Sequence, residues 1–156
     1  MRRGRARRLP WIIAALAGTL ALGALPSSAV GAAGADTEPI VEPLTEGLAP
    51  HGVDIAVEGP TDVVQRLITI PPGGSTGWHY HHGPLLGVVE SGILTRTLDD
   101  CTVEVSGPGD ALVEAHGADH VHVGRNLGTE PVVLYATYLV PHGAPLSVDA
   151  ENPGCP

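Results

Sequence analysis

Histidines at alternating positions are the residues of this chain best suited to chemistry. His79 and His81 lie in the stretch GSTGWHYHHGPLLGVVESG, and His120 and His122 form a second such pair. In a β-strand, residues i and i+2 point to the same face, with Cα atoms roughly 6.6 Å apart. Each pair can therefore direct two imidazoles at one ion. Neutral imidazole coordinates Fe, Mn, Zn, Ni and Cu, so the pattern predicts one divalent transition metal without choosing among them.

The elements that must position these histidines are short strands. After residue 52, apolar and β-branched runs alternate with Gly, Pro and Asp turns, and no segment has helical periodicity. This spacing favours an all-β sandwich or barrel. Strands are predicted over residues 53–57, 62–70, 75–81, 85–90, 93–98, 101–105, 111–115, 120–126 and 131–140.

Residues 73–92 resemble the first motif of the cupin superfamily, G-x5-H-x-H-x3,4-E-x6-G. Gly73, His79, His81 and Gly92 fall on the motif, but Leu85 stands at the position of its Glu. The resemblance is strongest to small single-domain cupins exported by bacteria, with a cupin type-2 conserved barrel. It implies that Leu85 faces the cavity as an apolar wall and that the metal shell is built from neutral histidines.

Residues 107–126 resemble the second motif, G-x5-P-x-G-x2-H-x3-N, in two registers. His120 is the ligand when counting forward from Gly109, and His122 is the ligand when counting back from Asn126. We favour His122, which keeps the H-x3-N spacing, and expect His120 beside it as a fourth ligand.

The family resemblance implies a double-stranded β-helix, a jelly-roll barrel with the metal inside. His79, His81 and a histidine of the second motif would be its ligands. Some thiol dioxygenases of the superfamily use a three-histidine iron site, so the loss of the motif Glu does not exclude catalysis.

The N-terminal region predicts export. Residues 1–35 combine an arginine-rich start, an apolar run of 15 residues and a small-residue stretch ending at Ala35, which is typical of a signal peptide. The run is short for a membrane span, and an uncleaved anchor is the alternative. We then expect a flexible lead-in over 36–52, the barrel over 53–140 and a C-terminal tail over 141–156. The mature protein would be secreted or extracytoplasmic, without a membrane partner.

Charge argues against two classes of partner. Five of the eight basic residues lie within residues 1–35, and all 17 acidic residues follow Ala35, so the mature chain carries a formal charge of −14. Such a surface repels nucleic acid and anionic lipid. The resemblance to cupins implies a small-molecule ligand or substrate, and a homodimer is left open.

Cys101 and Cys155 are an even pair in a chain predicted to be exported, which favours a disulfide. The bridge would close a loop of about 55 residues and stabilise the fold by about 4 kcal/mol on the chain-entropy model.

Three functions fit these observations. The first is a secreted mononuclear metal-binding cupin, an oxidoreductase or isomerase acting on a small molecule by dioxygenase-like or isomerase-like chemistry. The second is a non-enzymatic module that binds a small ligand or sequesters metal, and the third is a metal-free barrel. Glu90, Glu114 and Asp119 are the carboxylates nearest the histidines in sequence. None can be placed from sequence alone, so no catalytic residue is assigned.

Overall fold

The computed structural model describes residue 39 and residues 41–156, so the predicted signal peptide lies outside the described residues. Regular structure in the described part is β-strand throughout, which confirms the all-β class. No helix there has the length and apolar character needed to cross a membrane. The strands are β1 (Thr61–Ile70), β2 (His79–Tyr80), β3 (Leu85–Ser91), β4 (Leu94–Thr97), β5 (Val103–Ser106), β6 (Ala111–Glu114), β7 (Val123–Arg125), β8 (Val132–Pro141) and β9 (Val148–Asp149).

The strands pair antiparallel in two main sheets. One sheet has the order β1–β8–β3–β6 and the other the order β5–β4–β7, while β2 pairs with β9. Side chains of β8 alternate between buried and partly buried from Val132 to Val140, so one face of this strand enters the core. Leu94 of β4 joins Leu134 and Tyr138 of β8 in the same apolar cluster, which places the core between the sheets.

Two differences from the predicted strands have a backbone explanation. The strand predicted over 53–57 is wrong, because these residues pair with no other strand in the described part of the chain and Val53 and Val57 are exposed. Apolar alternation predicts a strand only where a neighbouring strand can satisfy its N–H and C=O groups. The opposite difference occurs in the C-terminal tail, where β9 was not predicted. Its two residues are too few to produce a pattern, and they are strand because β2 lies beside them.

The connection from β2 to β3 passes so close to β8 that only glycine fits. A Cβ at Gly83 would overlap the carbonyl oxygen of Leu139, and Leu139 N donates a hydrogen bond to Pro84 O at 3.0 Å. The chain is thus held against β8 just after His81.

The two cysteines meet at the far end of the tail. The Sγ atoms of Cys101 and Cys155 lie at bonding distance, with their Cα atoms 5.3 Å apart. Cys155 is buried, and Cys101 sits in the turn after β4. The predicted disulfide is compatible with this geometry.

Candidate metal centre

Backbone pairing brings three histidines to one face. His79 N donates to His122 O and His122 N donates to His79 O, each at 2.9 Å, so the two residues lie directly opposite each other. Residues opposite each other on antiparallel strands share a face, and His81, two positions after His79, shares it too. The ring centroids are 4.5 Å apart for His79 and His122 and 4.8 Å apart for His79 and His81.

A carboxylate joins them from another strand pair. Glu114 is the register partner of Leu85 between β6 and β3, so its side chain points to the same side of the sheet. Its Oε2 lies 3.0 Å from His81 Nε2 and 3.2 Å from His122 Nε2. The ligand atoms of His79, His81, Glu114 and His122 all lie within 4.8 Å of one another.

All three imidazoles are oriented by the backbone. The Nδ1 atoms of His79, His81 and His122 lie 3.0, 2.6 and 3.0 Å from carbonyl oxygens. Those oxygens belong to Gly77, Leu146 and His120 respectively. A carbonyl only accepts, so each Nδ1 must carry the proton, and in a neutral ring Nε2 then holds the lone pair. The structure therefore turns the lone pairs of His81 and His122 toward Glu114.

In this arrangement the imidazole nitrogens and the carboxylate that face each other are all hydrogen-bond acceptors. The lone pairs of His81 and His122 face an ionised carboxylate that also only accepts, and within the described residues no donor reaches the buried Nε2 of His122. A cation between these atoms resolves the conflict, either as protons on the rings or as a metal ion. Three imidazoles and one carboxylate are a donor set typical of divalent transition metals. The residues present therefore fit such an ion.

The pKa values reflect the same crowding. Burial by itself raises the pKa of Glu114, but the adjacent imidazoles of His122 and His81, which donate to it through Nε2 when protonated, and the charge of Arg96 hold this pKa well below its ordinary value. Burial likewise favours neutral His122, yet the adjacent Glu114 raises its pKa above the usual 6.5. For His79, burial is the main influence and lowers its pKa. Without metal, a proton on His122 is the natural counterion of Glu114.

Arg96 lies beside the Glu114 carboxylate and offsets its charge. This buried side chain places NH1 3.6 Å from Glu114 Oε1 and pairs through NH2 with Glu104 on the neighbouring strand. Removing Arg96 would leave Glu114 without its only nearby permanent positive charge among the described residues, a costly state for a buried carboxylate.

A small cavity opens beside the cluster. It has a volume of about 50 Å³, enough for one or two water molecules at about 30 Å³ each. Its wall is mostly apolar, with Leu85 on it as the motif comparison predicts. The lining residues are Ile68, Ile70, Thr76, His79, His81, Leu85, Leu94, Glu114, Gly124, Leu134 and Tyr138.

The structure gathers some of the predicted ligands and leaves one aside. His79, His81 and His122 converge, whereas His120 is exposed and contributes only its backbone carbonyl to His122. Glu114 is the residue that sequence reasoning did not place. Its position opposite Leu85 follows from strand register, which the spacing of one motif does not contain.

Comparison with known proteins agrees with this architecture. Residues 66–138 match the family model of the cupin domain, while comparison with curated protein sequences gives no match. A double-stranded β-helix protein from Klebsiella pneumoniae subsp. pneumoniae superposes with a TM-score of 0.50 and 22% identity, covering 72% of this chain and 86% of that one. At this identity the likeness shows the fold alone.

Two further structures are similar over smaller parts of the chain. The polyketide cyclase RemF from Streptomyces resistomycificus is 22% identical, with a TM-score of 0.48, over 61% of this chain and 66% of that one. A cupin superfamily protein from Desulfitobacterium hafniense is 14% identical, with a TM-score of 0.43, over 55% of this chain and 84% of that one. The match to the family model places residues 66–138 of this chain in the cupin superfamily, and the superposition on the Klebsiella protein confirms the double-stranded β-helix fold.

Proposed function

We propose that this protein is an extracytoplasmic cupin that binds one divalent transition-metal ion through His79, His81, His122 and Glu114 and presents it to a small molecule. The observation that carries the proposal is the buried carboxylate facing imidazole nitrogens whose protons are committed to backbone carbonyls. If the site binds no metal, the ring of His81 or His122 must stay protonated to offset the charge of Glu114.

The ligand separations support one shared ion. Two ligands of a tetrahedral ion at 2.0–2.1 Å stand about 3.4 Å apart. The cluster holds its donor atoms within 4.8 Å of one another, so modest side-chain movement brings all four to bonding distance. The two contacts with Glu114, at 3.0 and 3.2 Å, are close to this spacing.

The cavity limits what the ion would meet. At about 50 Å³ it admits water or another very small molecule unless its apolar walls move. A bound divalent ion supplies a Lewis acid there or activates a bound water. Among the polar groups on the wall, Glu114 and the histidines are used as ligands, which leaves Thr76 and Tyr138. Burial, together with the charge of Glu114, raises the pKa of Tyr138, so its hydroxyl keeps its proton and can donate it to a bound ligand.

Export rests on two independent features. The predicted signal peptide over residues 1–35 sends the chain out of the cytoplasm. The bonding-distance pair Cys101 and Cys155 suits an oxidising compartment. Whether the metal centre turns over a substrate or only binds is decided by assay, and the same four ligands serve both functions.

Alanine variants of the ligands separate His122 from His120. Each of His79→Ala, His81→Ala and His122→Ala is expected to weaken zinc binding by more than about 100-fold, beyond the loss typical of a supporting residue. His120→Ala is the matched control, because its ring is exposed and only its backbone carbonyl touches the site. Isothermal titration with zinc at pH 7.5 measures both. Loss of binding in His120→Ala together with full binding in His122→Ala would contradict the assignment.

A carboxylate exchange tests the role of Glu114. Glu114→Leu is expected to lose zinc affinity, and adding Leu85→Glu to that variant is expected to restore most of it. The reason is that the two positions are register partners whose side chains share one face of the sheet. Zinc titration of the parent, the single variants and the double variant gives the coupling between the positions.

The control for the exchange is Glu90→Leu with Leu85→Glu. Glu90 is an exposed carboxylate of the same length on β3, outside the cluster. Its loss should leave zinc affinity near that of Leu85→Glu alone. A double Leu85→Glu/Glu114→Leu variant no better than Glu114→Leu would show that position 85 cannot replace the carboxylate.

Zinc affinity is expected to rise from pH 6 to pH 8. The raised pKa of His122 means that its proton competes with metal to a higher pH than an ordinary imidazole proton would. Its ion pair with Glu114 stabilises the metal-free protein below pH 6.5 and is lost as pH rises through the raised pKa. The low pKa of Glu114 keeps the carboxylate charged across this range.

The measurement is the zinc-induced increase in melting temperature at each pH, which reports affinity by mass action. The increase should grow with pH, at most about tenfold in affinity per pH unit for one displaced proton. His142→Ala is the control, because His142 also has a raised pKa, from Asp62, but lies on the exposed surface. A zinc-induced shift that is constant from pH 6 to pH 8 would contradict the proposed competition.

A further inference from the structure

The C-terminal tail reaches the metal ligands directly. Its strand β9 pairs with β2, the strand that carries His79, with His79 opposite Asp149. Ala150 N donates to Trp78 O at 2.9 Å, which extends the pairing to the residue before His79. Because β2 has only two residues, this pairing supplies much of the backbone support on that side.

The tail also holds the ring of His81. Leu146 O lies 2.6 Å from His81 Nδ1, the shortest of the three contacts that orient the imidazoles. Leu146 and Ala144 pack their side chains against the apolar core, which fixes the position of that carbonyl. His81 is almost completely buried, with 1% of its surface exposed, so its ring has little room to find another partner.

The far end of the tail is tied to the opposite sheet. Cys155 meets Cys101, which follows β4, and β4 pairs with β7 next to His122. Asn152 closes the turn before this attachment: its Oδ1 accepts from Cys155 N at 2.8 Å and its Nδ2 donates to Cys155 O at 3.0 Å. The tail is therefore held at both ends while its middle contacts the ligands.

We propose that residues 144–150 of the tail are a positioning element of the metal centre, a clamp that fixes His79 and His81 and depends on the Cys101–Cys155 bridge. This inference rests on the metal site of the proposed function. The clamp fixes the strand of His79 through β9 and the ring of His81 through Leu146 O. When it is released, β2 keeps the single bridge between His79 and His122 as its strand pairing among the described residues.

Two independent variants release the clamp. Cys101→Ser/Cys155→Ser removes the attachment, and Ala150→Pro removes the N–H that donates to Trp78 O. Cobalt titration followed by visible absorption measures both affinity and ligand geometry. We expect the dissociation constant for cobalt to rise 10- to 100-fold, as it does on loss of groups that orient metal-bound histidines. We also expect a changed absorption spectrum at saturating cobalt.

Two controls separate positioning from stability. Glu151→Pro places the same proline one residue later, where the backbone N–H makes no hydrogen bond within the described residues. Val89→Ala creates a core defect in β3, at a residue that does not line the metal cavity. Both controls should keep the parent spectrum and the parent affinity at a temperature where circular dichroism shows all variants folded.

The outcomes are distinct. Release variants with the parent's cobalt spectrum and affinity overturn the clamp while leaving the metal site intact. Equal weakening in Val89→Ala also overturns it, because general stability would then explain the effect. A parent protein that binds no cobalt overturns the proposed metal site itself and the clamp with it.

Discussion

The buried carboxylate of Glu114 among imidazole nitrogens is the interaction on which the site depends. Its Oε2 is 3.0 Å from His81 Nε2 and 3.2 Å from His122 Nε2, and backbone carbonyls take the Nδ1 protons of both rings. Lone pairs facing a carboxylate at this distance repel unless positive charge lies between them. A cation between these groups, whether a proton or the proposed metal ion, would remove this repulsion.

The carboxylate reaches this place by an unusual route for the family motif. The motif position of Glu carries Leu85, and the negative charge comes instead from Glu114, its partner across the β3–β6 register. Residues at opposite register positions face the same side of the sheet, so the carboxylate of Glu114 lies where it could take the place of the motif Glu while a different strand supplies it. The negative charge of Glu114 is offset by the buried guanidinium of Arg96. Glu104 forms a second ion pair with Arg96 from the neighbouring strand.

The facing of the histidines and the class of fold could be predicted from sequence because both depend on local periodicity, although β2 spans only His79–Tyr80 and β7 begins after His122. Alternation put His79 and His81 on one face, and the H-x3-N spacing favoured His122 over His120, whose ring the structure leaves exposed. Glu114 could not be placed, because its role depends on which residue of β3 lies opposite. The contact between the C-terminal tail and the histidines could not be predicted for a similar reason, because Leu146 O and His81 are 65 residues apart in sequence.

X-ray absorption at the metal edge of zinc-loaded protein reports directly which side chains bind the ion. We expect a four-coordinate or five-coordinate ion with imidazole scattering from three histidines at about 2.0–2.1 Å and an oxygen at about 2.0–2.2 Å. The imidazole count should fall by one in His122→Ala and stay at three in His120→Ala. A first shell dominated by oxygen, with one imidazole or none, would contradict a metal centre built on these four residues.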